Sequence, residues 1–197
     1  MDTRLIVAAT VFALVATGTP GPNNLMLAAS GLQVGFRRSL PMMAGFQVGL
    51  LLLILGVAAG LGRAFVRYPA LQVALKAIGV AYLLYLAQQL WRSEAVSGRA
   101  DAPPMGFLRG AAFQFINPKA WMMATSAVGA YSLPGVGYWA SIAMLLCAFT
   151  AMGVPSIAAW TAFGGVFRAS LADARAARWP RRALALLTAV SCLLVFL

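Results

Sequence analysis

The sequence contains no histidine and only four acidic residues, Asp2, Glu94, Asp101 and Asp173. Without histidine, general acid–base chemistry would fall to lysine or tyrosine alone, and the commonest metal ligand is missing. The two cysteines, Cys147 and Cys192, each lie inside an apolar run and form neither a CxxC pair nor a ligand cluster, so they read as small apolar residues. No metal and no cofactor is therefore expected. These absences rank an enzyme and an ion, metal or redox-equivalent carrier low, with a non-catalytic subunit as a further alternative. Charged residues of all kinds make up 10% of the chain, against roughly 25% in a soluble domain.

What fills the chain instead is apolar. It is 62% hydrophobic, with a mean hydropathy of +0.85. A bilayer core about 30 Å thick is crossed by ~20 apolar residues in a helix. Residues 40–61 and 138–163 carry no charge at all and read as spans. Extending this reading gives six: 5–32, 40–61, 70–91, 107–131, 138–163 and 183–197. The last has only 15 residues before the chain ends, so it must lean on its neighbours or sit where the bilayer thins. Residues 5–16 have the length of a signal-peptide apolar region. The charged flank is weak and apolar character resumes after a proline–glycine interruption, so the segment reads as a retained first span.

The net charge of +11 does not point to nucleic acid, because the arginines cluster between spans with few aromatics suited to base stacking. Arg37, Arg38, Arg92, Arg99, Arg109, Arg168, Arg175, Arg178, Arg181 and Arg182 follow the odd-numbered spans, whereas only Arg4, Arg63 and Arg67 lie on the other side. The positive-inside rule then puts the first group in the cytoplasm and both termini in the periplasm. The arginines of 168–182 do not segregate onto one face, which favours a topology anchor over a lipid-binding surface helix.

The most polar linker, SEAVSGRADAPP, divides the chain into residues 1–96 and 105–197 around a linker at 97–104. Each half holds three spans. Three is odd, so related halves would insert in opposite orientation. The fold expected is an all-α integral membrane protein of six transmembrane helices, a single domain built as two inverted three-helix repeats.

Each half breaks its first span with proline. The first break is Thr19-Pro20-Gly21-Pro22-Asn23-Asn24 and the second is Asn117-Pro118-Lys119. Proline removes an amide donor and clashes with the preceding turn, and freed backbone groups are tolerated in a membrane only where protein or an aqueous cavity satisfies them. The half-helix that restarts after Pro22 offers a partial positive charge suited to a carboxylate, and Asn23, Asn24 and Asn117 suit an α-amino acid head group. Pro20, Gly21, Pro22, Asn23, Asn24, Asn117, Pro118 and Lys119 are therefore the candidate substrate-binding residues.

Gln47, flanked by Gly45 and Gly49, is either interhelical glue or a further site residue. Those glycines, with Gly56, Gly60, Gly31 and Gly35, follow a small-xxx-small spacing that reads as close helix packing. Lys119 sits beside a break and is the better functional candidate of two embedded lysines. Lys76, near the start of its span, either snorkels or serves the site. Tyr82 and Tyr85 share one helix face and either line a cavity or mark the membrane interface. All four acids fall outside the spans, so no intramembrane carboxylate relay is visible and a cationic side chain would find no buried counter-charge. The substrate expected is small and neutral in its side chain.

Thr19-Pro20-Gly21-Pro22-Asn23-Asn24, then Gly35-Phe36-Arg37, Leu75-Lys76 with Gly79, Ala81-Tyr82-Leu83, and Asn117-Pro118-Lys119-Ala120 together resemble the LysE/RhtB family of amino acid exporters. The resemblance covers nearly the whole chain, and Phe113-Gln114-Phe115-Ile116-Asn117 with the double asparagine is most similar to the cysteine/O-acetylserine branch. It implies secondary-active efflux of cysteine, O-acetylserine, threonine or similar metabolites across the bacterial inner membrane, by alternating access and with the proton motive force as driver. The partners implied are the amino acid and membrane lipid, with monomer or homodimer left open. One departure is that many members carry an acid near the position of Gln47.

Overall fold

The computed structural model describes residues 2–92, 105–170, 179 and 182–187. All regular structure among them is helical. In chain order it comprises α1 (Thr3–Gly18), α2 (Pro22–Val34), α3 (Phe36–Gly56), a π-helical turn (Val57–Leu61), α4 (Gly62–Arg67) and α5 (Pro69–Arg92). After the linker come α6 (Phe107–Ile116), α7 (Pro118–Tyr131), a 3-10 turn (Gly135–Gly137) and α8 (Tyr138–Ser170).

Two segments, Phe36–Leu61 and Gly135–Val166, are long and apolar enough to cross a bilayer. A third is added if α1 and α2, bent by 54° at their junction, count as one broken span. The third expected span is occupied by α5, and the fourth by α6 and α7 with a break between them. Of the sixth, only 183–187 is described, as helix; its remainder and the central linker lie outside the described residues.

The distribution of side chains suits a lipid solvent. Val7, Val11, Leu14, Leu52 and Val166 are exposed, whereas Asn24, Gln47, Gln114, Asn117 and Thr161 are buried. Polar groups turned inward, with apolar ones outward, is the arrangement that satisfies hydrogen bonds where no water is available. One apolar cluster joins α1, α3, α7 and α8 through Ala13, Leu53, Ala124 and Phe149, and a second gathers Leu27, Met42, Phe46 and Phe113.

Glycine sets the closest crossings. A Cβ on Gly31 in α2 would meet the backbone oxygen of Thr161 in α8, and one on Gly164 would meet the backbone oxygen of Ala28. Gly45 and Gly49 face the α6 backbone at Phe107 and Ala111 in the same way. Close packing thus holds at Gly31, Gly45 and Gly49. It does not hold at Gly60, whose φ of 119° serves a chain turn and where a Cβ would meet nothing within 4 Å, nor at Gly56, which faces only the Leu61 side chain; Gly35 takes a φ of 85° at the junction of α2 and α3.

Candidate functional site

Both proline breaks follow from local chemistry. Thr19, which precedes Pro20, takes the extended conformation (φ −66°, ψ 143°) that a following proline imposes, and α1 ends there. Pro22 then opens α2 from its first turn, where its missing amide costs nothing. Asn117 likewise precedes Pro118, is extended, and caps α7 by accepting from the Lys119 amide at 3.1 Å. The N-terminus of α2 has no side-chain cap. The two half-helices therefore differ: α7 is closed by its own asparagine, and α2 is left open.

The breaks meet. Asn23 Nδ2 donates to Gln114 Oε1 at 3.0 Å, and Asn117 Nδ2 donates to Asn23 Oδ1 at 2.8 Å. Gln114 is fully buried and donates in turn to the Phe46 carbonyl at 3.0 Å. Lys119 reaches across the same junction. Its Nζ donates to the Thr19 carbonyl and hydroxyl, both at 2.9 Å, and lies 3.4 Å from the Pro20 carbonyl.

The carbonyls released where α1 ends are taken up by side chains from three directions. Asn24 Nδ2 donates to the carbonyls of Thr17 and Thr19 (2.8 Å each), Ser156 Oγ donates to that of Thr17 (2.8 Å), and Trp160 Nε1 donates to that of Gly18 (3.3 Å). Asn24 thus uses both amide hydrogens on the protein's own backbone, and only its Oδ1 is left for a ligand.

Between the breaks lies a cavity of about 30 Å³, room for a water-sized group or two and less than a whole amino acid. Its polar wall comprises Thr17, Gly21, Asn23, Asn24, Gln47, Gln114, Asn117 and Lys119, and Phe46, Leu50, Met123 and Ile157 supply the apolar part. Among the described residues, Lys119 is the one titratable side chain in that wall. Gln47 comes from α3 and donates through Nε2 to the Phe149 carbonyl of α8 at 3.3 Å.

The structure thus brings Gly21, Asn23, Asn24, Gln47, Asn117 and Lys119 to one cavity, with the Pro20 carbonyl held by the lysine and the buried Pro22 and Pro118 heading the two half-helices. Tyr82 packs against Phe113 with ring centroids 5.6 Å apart, Tyr85 is exposed, and neither lines the cavity. Lys76 lies on α5, and its side chain is outside what is described. Sequence reasoning passed over Gln114, Ser156 and Gly153. Only Gln114 carried a signal, as a strongly polar residue one helical turn before Asn117.

An all-helical chain with membrane-length apolar helices, a polar cavity at two helix breaks and no metal-ligand cluster among the described residues has the make-up of a membrane translocator. The chain belongs to the LysE family: the LysE type translocator family matches residues 14–197. It is similar to the cysteine/O-acetylserine efflux protein of Klebsiella pneumoniae, at 32% identity over 195 residues, covering 96% of this chain and 97% of the relative. The proteins of the same name from Salmonella choleraesuis and Escherichia coli K12 match at 33% and 32% identity, each over 68% of this chain and 69% of their own length. No solved structure matches the chain.

Proposed function

We propose that this protein exports small neutral amino acids or related metabolites of the cysteine, O-acetylserine or threonine kind across the bacterial inner membrane. Transport is secondary-active and works by alternating access. The observation that carries this reading is the meeting of the two helix breaks at one polar cavity whose described residues include a lysine and no acid. The uncapped start of α2 and the Lys119 ammonium supply positive potential for a carboxylate, and the short apolar wall of Phe46, Leu50, Met123 and Ile157 suits a small side chain. The absence of an acid among the described residues of the wall disfavours lysine or arginine as cargo. Relatives named for cysteine and O-acetylserine efflux support the same substrate class.

A cavity smaller than its cargo must widen to load and to release it, which favours an alternating mechanism over a standing pore. The two breaks, one in each half of the chain, support two inverted three-helix repeats (1–96 and 105–197), with substrate held where they face each other. The arginine distribution supports termini on the periplasmic side.

The test is transport by the purified full chain in vesicles loaded with labelled cysteine, O-acetylserine or threonine. Efflux of at least one is expected, and Asn24→Ala and Lys119→Ala should abolish it while the protein still inserts and folds. Unchanged transport in both variants would remove the site assignment, and movement of none of the three would remove the substrate class.

A further inference from the structure

Two buried side-chain polar atoms among the described residues have no hydrogen-bond partner, Gln47 Oε1 and Arg182 Nε, and only the first belongs to the cavity wall. Gln47 is 8% exposed, and its carboxamide is anchored by the bond from Nε2 to the Phe149 carbonyl. The oxygen is thereby turned toward Gly153 of α8, where a Cβ would stand 2.7 Å from it. A buried acceptor with no donor from the protein is unfavourable, so it points to a donor that enters the cavity.

That donor must be small, because the cavity has room for little more than a group of water's size. The amino-acid reading above, on which this step rests, offers two head groups. The carboxylate has no proton to give and is drawn toward Lys119 and the open end of α2. The ammonium has three protons and meets no acid among the described residues of the wall. We infer that Gln47 Oε1 receives the α-ammonium of the substrate, and that Gly153 is glycine to keep this oxygen uncovered. A neutral carboxamide is suited to the task, since its oxygen accepts a charge-assisted hydrogen bond without itself titrating.

The experiment is competition against labelled cysteine binding to the detergent-purified full chain, with two pairs that differ only in the α-ammonium: cysteine against 3-mercaptopropionate, and threonine against 3-hydroxybutyrate. Cysteine methyl ester, which lacks the carboxylate, serves as a control. In the unaltered protein the ammonium-free member of each pair should compete about tenfold or more weakly, as the loss of one charge-assisted bond predicts. Gln47→Leu should bring each pair to within about twofold while leaving the penalty on the methyl ester unchanged, an effect general loosening would not produce. Gly153→Ala leaves Gln47 in place and covers its oxygen, and it should act in the same direction if Gln47→Leu does not fold. Discrimination retained in whichever variants fold overturns the inference alone. Failure of the unaltered protein to bind cysteine or threonine overturns the amino-acid reading and the inference with it.

Discussion

Lys119 Nζ lies 2.9 Å from both the carbonyl and the hydroxyl oxygen of Thr19, a residue 100 positions earlier in the chain. A cation inside a bilayer-spanning bundle is costly without a partner, and here the partners are dipoles rather than an acid. The Thr19 and Pro20 carbonyls stand just beyond the C-terminal, electronegative end of α1. One side chain therefore joins the break in the first half to the break in the second. On the export reading proposed above, a substrate carboxylate at the open end of α2 would compete with these oxygens for the ammonium and so loosen the tie between the halves.

Replacing Thr19 by valine removes one acceptor and leaves both carbonyls, so transport in vesicles should fall only a few-fold. Lys119→Met keeps the length of the side chain and removes the charge, and it should lower transport by more than about tenfold with the thermal unfolding midpoint little changed. Equal losses for the two variants would show that the hydroxyl, not the charge, is what matters there.

Gln114, itself fully buried, joins the half-buried Asn23 with Asn117 and Phe46 in one set of hydrogen bonds. Gln114→Leu has nearly the same volume but leaves the Asn23 amide without its acceptor, while the Asn117 amide keeps its bond to Asn23 Oδ1 and the Phe46 carbonyl loses a side-chain donor. Each unsatisfied buried group costs about 1–3 kcal/mol, so a clearly lowered unfolding midpoint in detergent is expected together with lost transport. A stable but inactive variant would mean that the set orients the site without holding the helices together.

Much of this arrangement was legible in the sequence. The apolar runs, the two proline breaks and the candidate polar residues at them follow from composition and local backbone chemistry, which act over a few residues. What was not legible depends on register between distant helices. Asn23 and Gln114 are 91 positions apart, and nothing local reveals that the amide of one faces the oxygen of the other. Ser156 and Trp160 look like ordinary residues of an apolar span, yet they satisfy carbonyls freed near the first break. The small-xxx-small spacing was ambiguous for the same reason. Gly31 and Gly60 obey it equally, and only the folded chain separates a helix contact at the first from a turn at the second.

Gly164 and Gly165 are adjacent and indistinguishable by type. A Cβ on the first would run into the Ala28 backbone oxygen, whereas one on the second would meet nothing within 4 Å. Backbone cannot yield as a side-chain tip does, so Gly164→Ala should cost about 1–3 kcal/mol through separation of α2 from α8. Gly165→Ala should be neutral or slightly stabilising, since alanine is the better helix former. Thermal melts of the two variants side by side check this, and equal midpoints would contradict the crossing.

Gly21 offers the sharpest separation of scaffold from mechanism. Its φ and ψ of −179° and 178° are extended backbone that any residue adopts, so no backbone strain requires glycine there. What requires it is space: a Cβ would lie 2.9 Å from Lys119 Cδ and 3.1 Å from its Nζ. The lysine tip is flexible and can move aside, but only by leaving the oxygens of Thr19 and Pro20. Gly21→Ala should therefore leave the unfolding midpoint nearly unchanged while lowering transport by about as much as Lys119→Met. Gly18→Ala, with nothing within 4 Å of the added carbon, is the matched control and should transport normally. Combining Gly21→Ala with Lys119→Met should add little beyond either change, because both act on one contact and effects on a shared contact do not sum. Additive losses in the double variant would assign Gly21 a role of its own in holding the substrate.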